Sequence, residues 1–186
     1  MVTKKIYPTL DQGITFVSGP TNSGKSLFAE TIARQFTRVL YIATLSDEFI
    51  DNDMLKRIHV HQQRRPKGWA FLNSNQDPFI SLHQVSQYEL LLIDSLGGFV
   101  TSNLMLPSSE WNNKVVHFKN LLAIQDKRII LVSEEIGWGL VPTTESGSIF
   151  TERMGQLTQY FSTIAASSWL VINSTAINIS EIGTPI

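Results

Sequence analysis

Cysteine is absent from the chain, which excludes disulfide staples and thiol chemistry and fits a reducing compartment. An excess of one charge is missing too. Fifteen Lys and Arg against 16 Asp and Glu leave a net charge of −1, so no global basic field draws the molecule to nucleic acid. No apolar run reaches the length of a membrane span. Met1 to Leu10 carries Lys4 and Lys5 without the apolar stretch of a signal peptide. Repeats, low-complexity tracts and linkers are also absent. These absences predict a soluble cytoplasmic protein with no nucleic-acid partner and no membrane span. What remains is a 186-residue chain, 42% hydrophobic and 17% charged, which suits one globular α/β domain over residues 1–186 with a substantial core.

Apolar runs alternate with helical patterns along that domain. Strands are expected at Ile14–Ser18, Val39–Thr44, Leu90–Asp94, Ile129–Ser133 and Trp169–Asn173, with a weaker one at Ala176–Ile179. Their near-continuous apolar character suits a mostly parallel sheet covered on both faces. Helices are expected at about 25–36, 52–63, 109–125 and 149–166, with a weak one near 80–87. Segments 64–79 and 95–108, rich in Pro, Gly, Asn and Ser, read as loops. Alternating β and α elements imply right-handed crossovers, with ligands bound beyond the carboxyl ends of the strands.

One such end carries Gly19-Pro20-Thr21-Asn22-Ser23-Gly24-Lys25-Ser26, a G-x-x-x-x-G-K-[ST] loop between a strand and a helix. Its backbone N–H groups and the helix N-terminus offer donors and positive potential to phosphates. Lys25 can reach the β- and γ-phosphates, and the Ser26 hydroxyl can hold Mg²⁺. Asp94, closing the apolar strand Leu90–Asp94, is the candidate second metal ligand. Glu134 and Glu135 follow another strand. Adjacent side chains leave a strand on opposite faces, so one of the two is expected to face the nucleotide.

A second unusual feature is the run Arg57-Ile58-His59-Val60-His61-Gln62-Gln63-Arg64-Arg65-Pro66-Lys67-Gly68-Trp69. On a helix, Met54, Arg57 or Ile58, and His61 share a face, and Pro66 ends the element. The residues leave two readings open. Nearby cations favour a neutral, nucleophilic imidazole at His61, able to attack a nucleotide α-phosphate. Alternatively, the run is a basic, solvated helix end. His59 and His61 are spaced i, i+2, which does not point two helical side chains at one metal. His83 and His117 read as surface or packing residues.

In these features the chain resembles the bifunctional adenosylcobinamide kinase/adenosylcobinamide-phosphate guanylyltransferase family of cobalamin biosynthesis. The resemblance spans roughly residues 14–180. It rests on Gly19–Ser26 with Ala29-Glu30, on Val39–Thr44, and on Asp51-x-x-Met54-x-x-Arg57-Ile58-x-x-His61 with Arg65-Pro66-x-x-Trp69. Leu91–Asp94, Thr101–Leu104 and Val132–Pro142 add to it. It implies a RecA-type P-loop fold and a homotrimer. It implies phosphorylation of the corrinoid adenosylcobinamide by ATP or GTP with Mg²⁺, then GMP transfer from GTP through a guanylylated histidine that matches His61. Arg57, Arg65 and Asp94 join the loop residues Gly19–Ser26 as expected nucleotide contacts. The chain departs from the family pattern at Asn73, where a Glu is usual, and at Asp94, commonly Glu. It departs again at Ser95–Gly98, and at Ser148, Thr151 and Glu152, in place of two arginines and an Asp. Two alternatives therefore stand beside the bifunctional enzyme: a P-loop kinase without guanylyl transfer, and a non-catalytic nucleotide-binding relative.

Overall fold

The computed structural model describes residues 8–46, 55, 58–59, 62–73, 82–123, 126–139 and 141–186. In chain order the described elements are β1 (Gly13–Gly19), α1 (Lys25–Ala33), β2 (Val39–Ala43), β3 (Ala70–Asn73) and a 3₁₀ turn at Leu82–Gln87. They continue with β4 (Leu90–Asp94), α2 (Leu96–Ser102), α3 (Ser108–Ala123), β5 (Arg128–Glu134) and α4 (Glu145–Ile164). β6 (Ser167–Ile172), β7 (Thr175–Asn178) and a single turn α5 (Ile179–Ile182) close the chain.

The strands form one sheet in the order β3-β2-β4-β5-β1-β6-β7. All neighbours are parallel except β6 and β7, which pair as a hairpin. Period-two geometry explains how continuous apolar runs serve both faces. Ile14, Phe16, Leu40, Ile42, Leu91, Ile93, Ile129 and Leu131 point to one core, packed under Phe99, Trp111, Phe118, Leu121, Met154, Leu157 and Phe161 of α2, α3 and α4. The alternate residues Val17, Val39, Tyr41, Leu90, Leu92, Ile130 and Val132 point to the other core, under Ala29, Ile32 and Ala33 of α1. Each large apolar side chain so buried contributes about 1.5–3 kcal/mol. The expected mostly parallel α/β sheet with helices on both faces is the one observed.

Two segments read as loops are ordered. Within 64–79, the short edge strand β3 pairs Leu40–Ala43 with Ala70–Asn73. Within 95–108, α2 forms despite Gly97-Gly98, a pair poor in helix propensity. Close packing requires these glycines. A Cβ at Gly97 would meet the Glu134 carboxylate, and one at Gly98 would meet Thr44 Oγ1 and the Leu45 backbone. Glu134 in turn accepts from Ser95 Oγ at 2.5 Å and from the Gly97 N–H at 2.9 Å, so its carboxylate caps the start of α2. The weak helix near 80–87 is a 3₁₀ turn, and α4 begins at Glu145, four residues before its expected start. Most of the helix expected over 52–63 lies outside the described residues. Of it, Leu55, Ile58, His59, Gln62 and Gln63 are helical, and the helix continues into Arg64.

Candidate nucleotide site at the carboxyl edge of the sheet

The phosphate loop leaves β1 at Gly19 and enters α1 at Lys25. Asn22 has φ 60° and Gly24 has φ 97°, left-handed conformations that Asn tolerates and Gly adopts freely. The β6–β7 hairpin braces the loop from the side. A Cβ at Gly19 would run into the Val171 carbonyl oxygen, and the Ser174 N–H donates to the Ser23 carbonyl at 3.1 Å. The hairpin holds this position by a two-residue turn in which Asn173 (φ 48°) and Ser174 (φ 60°) are both left-handed, as a type I′ turn requires. Pro20 is half-buried, Thr21 and Asn22 are exposed, and Ser23 is buried. Lys25 is also buried, and its Nζ donates to the Pro20 carbonyl at 3.3 Å, which places the ammonium over the loop.

Sheet parity delivers the second part of the site. Leu92 faces the α1 side, so Asp94, two residues on, does so as well. Ser26 Oγ donates to Asp94 Oδ1 at 3.5 Å, and Tyr41 Oη donates to Asp94 Oδ2 at 2.8 Å. Burial and the adjacent Asp94 charge push the Tyr41 phenol well above its ordinary pKa, so at neutral pH it is a donor. A hydroxyl and a carboxylate are hard oxygen donors of the kind Mg²⁺ accepts from protein beside substrate phosphates. Among the described residues no group of three or more His, Cys, Asp or Glu gathers. A cation held by Ser26 and Asp94 would have ligand positions to share with phosphate oxygens and water.

The third part comes from the Arg-rich segment. The Arg65 guanidinium lies 3.3 Å from the Tyr41 ring centroid and 5.3 Å from that of Phe71. Its Nε is buried without a hydrogen-bond partner among the described residues. Arg64 Nε lies 3.3 Å from the carboxylate of Glu30, a residue of α1 that is 1% exposed, and Arg34 donates to the Arg64 carbonyl at 2.6 Å. Residues 62–65 are thus fastened to the helix that follows the phosphate loop. Arg57 and His61 lie outside the described residues.

Asn73 ends β3 opposite Ala43, and Ala43 also pairs with Asp94. The two departures from the family pattern therefore stand at the ends of strands that flank β2. Glu134, a candidate for facing the nucleotide, is engaged by α2, and the Glu135 N–H donates to the Gly19 carbonyl at 2.9 Å. Ser148 and Thr151 stand where the family pattern has arginines. Their hydroxyls bond carbonyls of their own helix end, Thr144 and Gly147. Arg153, which belongs to none of the sequence motifs, turns inward and donates to the Asn103, Leu104 and Leu106 carbonyls. His117 is exposed on α3. Two grooves of about 590 Å³ each border α3 and α4, away from the phosphate loop. Among the described residues no helix is long and apolar enough to cross a membrane. Tyr41 is the site residue the sequence hid, although a phenol in an otherwise apolar strand is itself a signal, since a buried hydroxyl needs a partner.

The family model described as cobinamide kinase / cobinamide phosphate guanyltransferase matches residues 15–179. The bifunctional adenosylcobalamin biosynthesis protein CobU of Escherichia coli (strain K12) is 28% identical over 178 residues, covering 88% of this chain and 97% of that protein. The bifunctional adenosylcobalamin biosynthesis protein CobP of Pseudomonas aeruginosa is 32% identical over 146 residues, covering 77% of this chain and 83% of that protein. A solved protein of Pyrococcus horikoshii OT3 shares the fold at a TM-score of 0.53 and 12% identity, over 93% of this chain and 88% of that one. With a match running from β1 to the end of β7, the chain belongs to the cobinamide kinase / cobinamide phosphate guanyltransferase family.

Proposed function

We propose that this chain phosphorylates the aminopropanol hydroxyl of adenosylcobinamide with ATP or GTP and then transfers GMP from GTP to that phosphate through His61. In the first step the substrate hydroxyl oxygen bonds to the γ-phosphorus, its proton is released, and the nucleoside diphosphate leaves. In the second, an imidazole nitrogen of His61 bonds to the α-phosphorus of GTP and pyrophosphate leaves. An oxygen of adenosylcobinamide phosphate then attacks that phosphorus, the P–N bond breaks, and adenosylcobinamide-GDP forms. The loop N–H groups and Lys25 would cradle the triphosphate. Mg²⁺ held by Ser26 and Asp94 would neutralise charge on its phosphates.

The observation that carries this reading is the seat of Arg65. Four positions after His61 in the chain, it stacks on Tyr41, whose hydroxyl bonds Asp94. The segment that follows the candidate nucleophile is therefore anchored beside Asp94, next to the phosphate loop. Incubation with [α-³²P]GTP and Mg²⁺ should label the protein in an acid-labile linkage, and His61→Ala should abolish the label. Equal labelling of the variant would reject the nucleophile. The trimer belongs to the same proposal, and a solution mass equal to three chains would support it.

Asn73 favours a second reading, a kinase without guanylyl transfer. At the end of β3 its amide offers one acceptor oxygen where a carboxylate offers two. Phosphorylation of cobinamide by a protein that never acquires label would select this reading, and label on His61 would remove it. Turnover that disappears in Lys25→Ala would exclude the non-catalytic alternative.

A further inference from the structure

Tyr41 has a side chain that packing alone does not account for. It lies in β2, 3% exposed, among Val39, Leu90 and Leu92, where a phenylalanine would fill the same core. A buried hydroxyl in such a place is costly unless it is bonded, and this one donates to Asp94 Oδ2 at 2.8 Å. The bond divides the carboxylate between two tasks: Oδ2 is held by the phenol, while Oδ1 faces Ser26 Oγ at 3.5 Å. Rotation of the carboxylate about its last torsion would break the phenol bond. The Arg65 guanidinium lies over the same ring at 3.3 Å, and Phe71, 5.3 Å from that guanidinium, flanks the ring with centroids 6.1 Å apart. Core burial and these two contacts hold the ring, and its hydroxyl is aimed at Asp94.

We propose that Tyr41 is the positioning residue for the divalent cation, orienting Asp94 so that Oδ1 is presented beside Ser26 to the nucleotide-bound metal. This rests on the assignment of Asp94 and Ser26 to the cation, and the test separates the two claims. Mn²⁺ binding to the complex with a non-hydrolysable ATP analogue is followed by electron paramagnetic resonance. It is compared in wild type, Tyr41→Phe and Asp94→Asn. Nucleotide affinity in EDTA is measured alongside it by calorimetry. Tyr41→Phe should weaken Mn²⁺ binding by roughly tenfold, the size expected for a hydrogen bond to a charged group. Its metal-free nucleotide affinity should stay within about twofold, because the phosphate loop and the ring packing are untouched. A merely structural hydroxyl would instead lower the unfolding temperature and leave Mn²⁺ affinity as in wild type, which would overturn the proposal. If Asp94→Asn weakens Mn²⁺ binding and Tyr41→Phe does not, only the role of Tyr41 falls. If Asp94→Asn binds Mn²⁺ normally, the cation assignment falls and the proposal falls with it.

Discussion

The phosphate loop and the Arg64–Arg65 segment lie on the same side of the sheet but are held by different means. The loop is held through its backbone: left-handed Asn22 and Gly24, a close approach at Gly19, and a hydrogen bond from Ser174. The segment is held through long side chains: Arg64 on Glu30, Arg34 on the Arg64 carbonyl, and Arg65 on the Tyr41 ring. A backbone-held element has one conformation to offer. A segment held by guanidinium groups can be released by breaking a few contacts. On the proposed reading, the loop is the fixed phosphate cradle and the segment is the part whose position can be tuned.

Removing the loop's charge should give the largest effect. Lys25→Ala leaves the backbone cradle in place but deletes its cation, and both reactions should fall by at least about 10²-fold in kcat. Steady-state rates of phosphorylation and guanylylation check this, and wild-type rates for either would reject a shared phosphate site. Next is the anchor of the segment. Arg64→Ala takes a cation from Glu30, which is 1% exposed, and should cost about 3 kcal/mol by denaturant unfolding. That value is the lower end for a buried pair, because the Arg64 side chain is one-third exposed. Labelling by [α-³²P]GTP should fall further than kinase activity in this variant. A proportional fall in both would erase the proposed contrast between the two regions.

A smaller effect is expected where only the stacking geometry changes. Arg65→Lys keeps the charge and loses the flat guanidinium that lies on Tyr41, at a cost of roughly 0.5–2 kcal/mol. The ratio of guanylylation to kinase rate should drop, and an unchanged ratio would show that charge alone suffices. The smallest effect concerns pH at the contact between the regions. The Tyr41 pKa is raised in the folded protein, by burial first and by Asp94 next. Its contribution to stability is therefore complete below the unfolded value of about 10 and is lost as pH rises from there through the higher folded value. Between about pH 9 and about pH 11 the wild type should lose more stability than Tyr41→Phe in urea melts. Parallel losses would mean the phenol is not perturbed.

The two regions also differ in how far they can be read from sequence. The loop announces itself because its backbone demands glycine at fixed spacing, and Asp94 because it closes an apolar strand. The ends of β1, β4 and β5 follow from runs of apolar residues that parity divides between two cores. β3 escapes notice because it is a four-residue edge strand, AFLN, of which no residue is fully buried. α2 escapes because Gly97 and Gly98 argue against a helix locally, while Glu134 and Thr44 demand them in space. The seat of Arg65 escapes for the same reason, since nothing within residues 62–69 names Tyr41 as its partner. Local chemistry is visible in one dimension, and contacts between distant elements are not.

The hairpin of β6 and β7 carries a consequence for how the protein comes into being. Ser18 at the end of β1 donates to the Trp169 carbonyl, 151 positions away, and the Val171 and Ser174 backbones wall the loop. The loop residues are made on the ribosome well before the hairpin that encloses them. A nascent chain that stops before β6 holds the loop sequence without its wall. On the proposed reading, nucleotide-binding competence waits for the long-range pairing that slows folding, and nucleotide binding would report that β6 and β7 have joined the sheet.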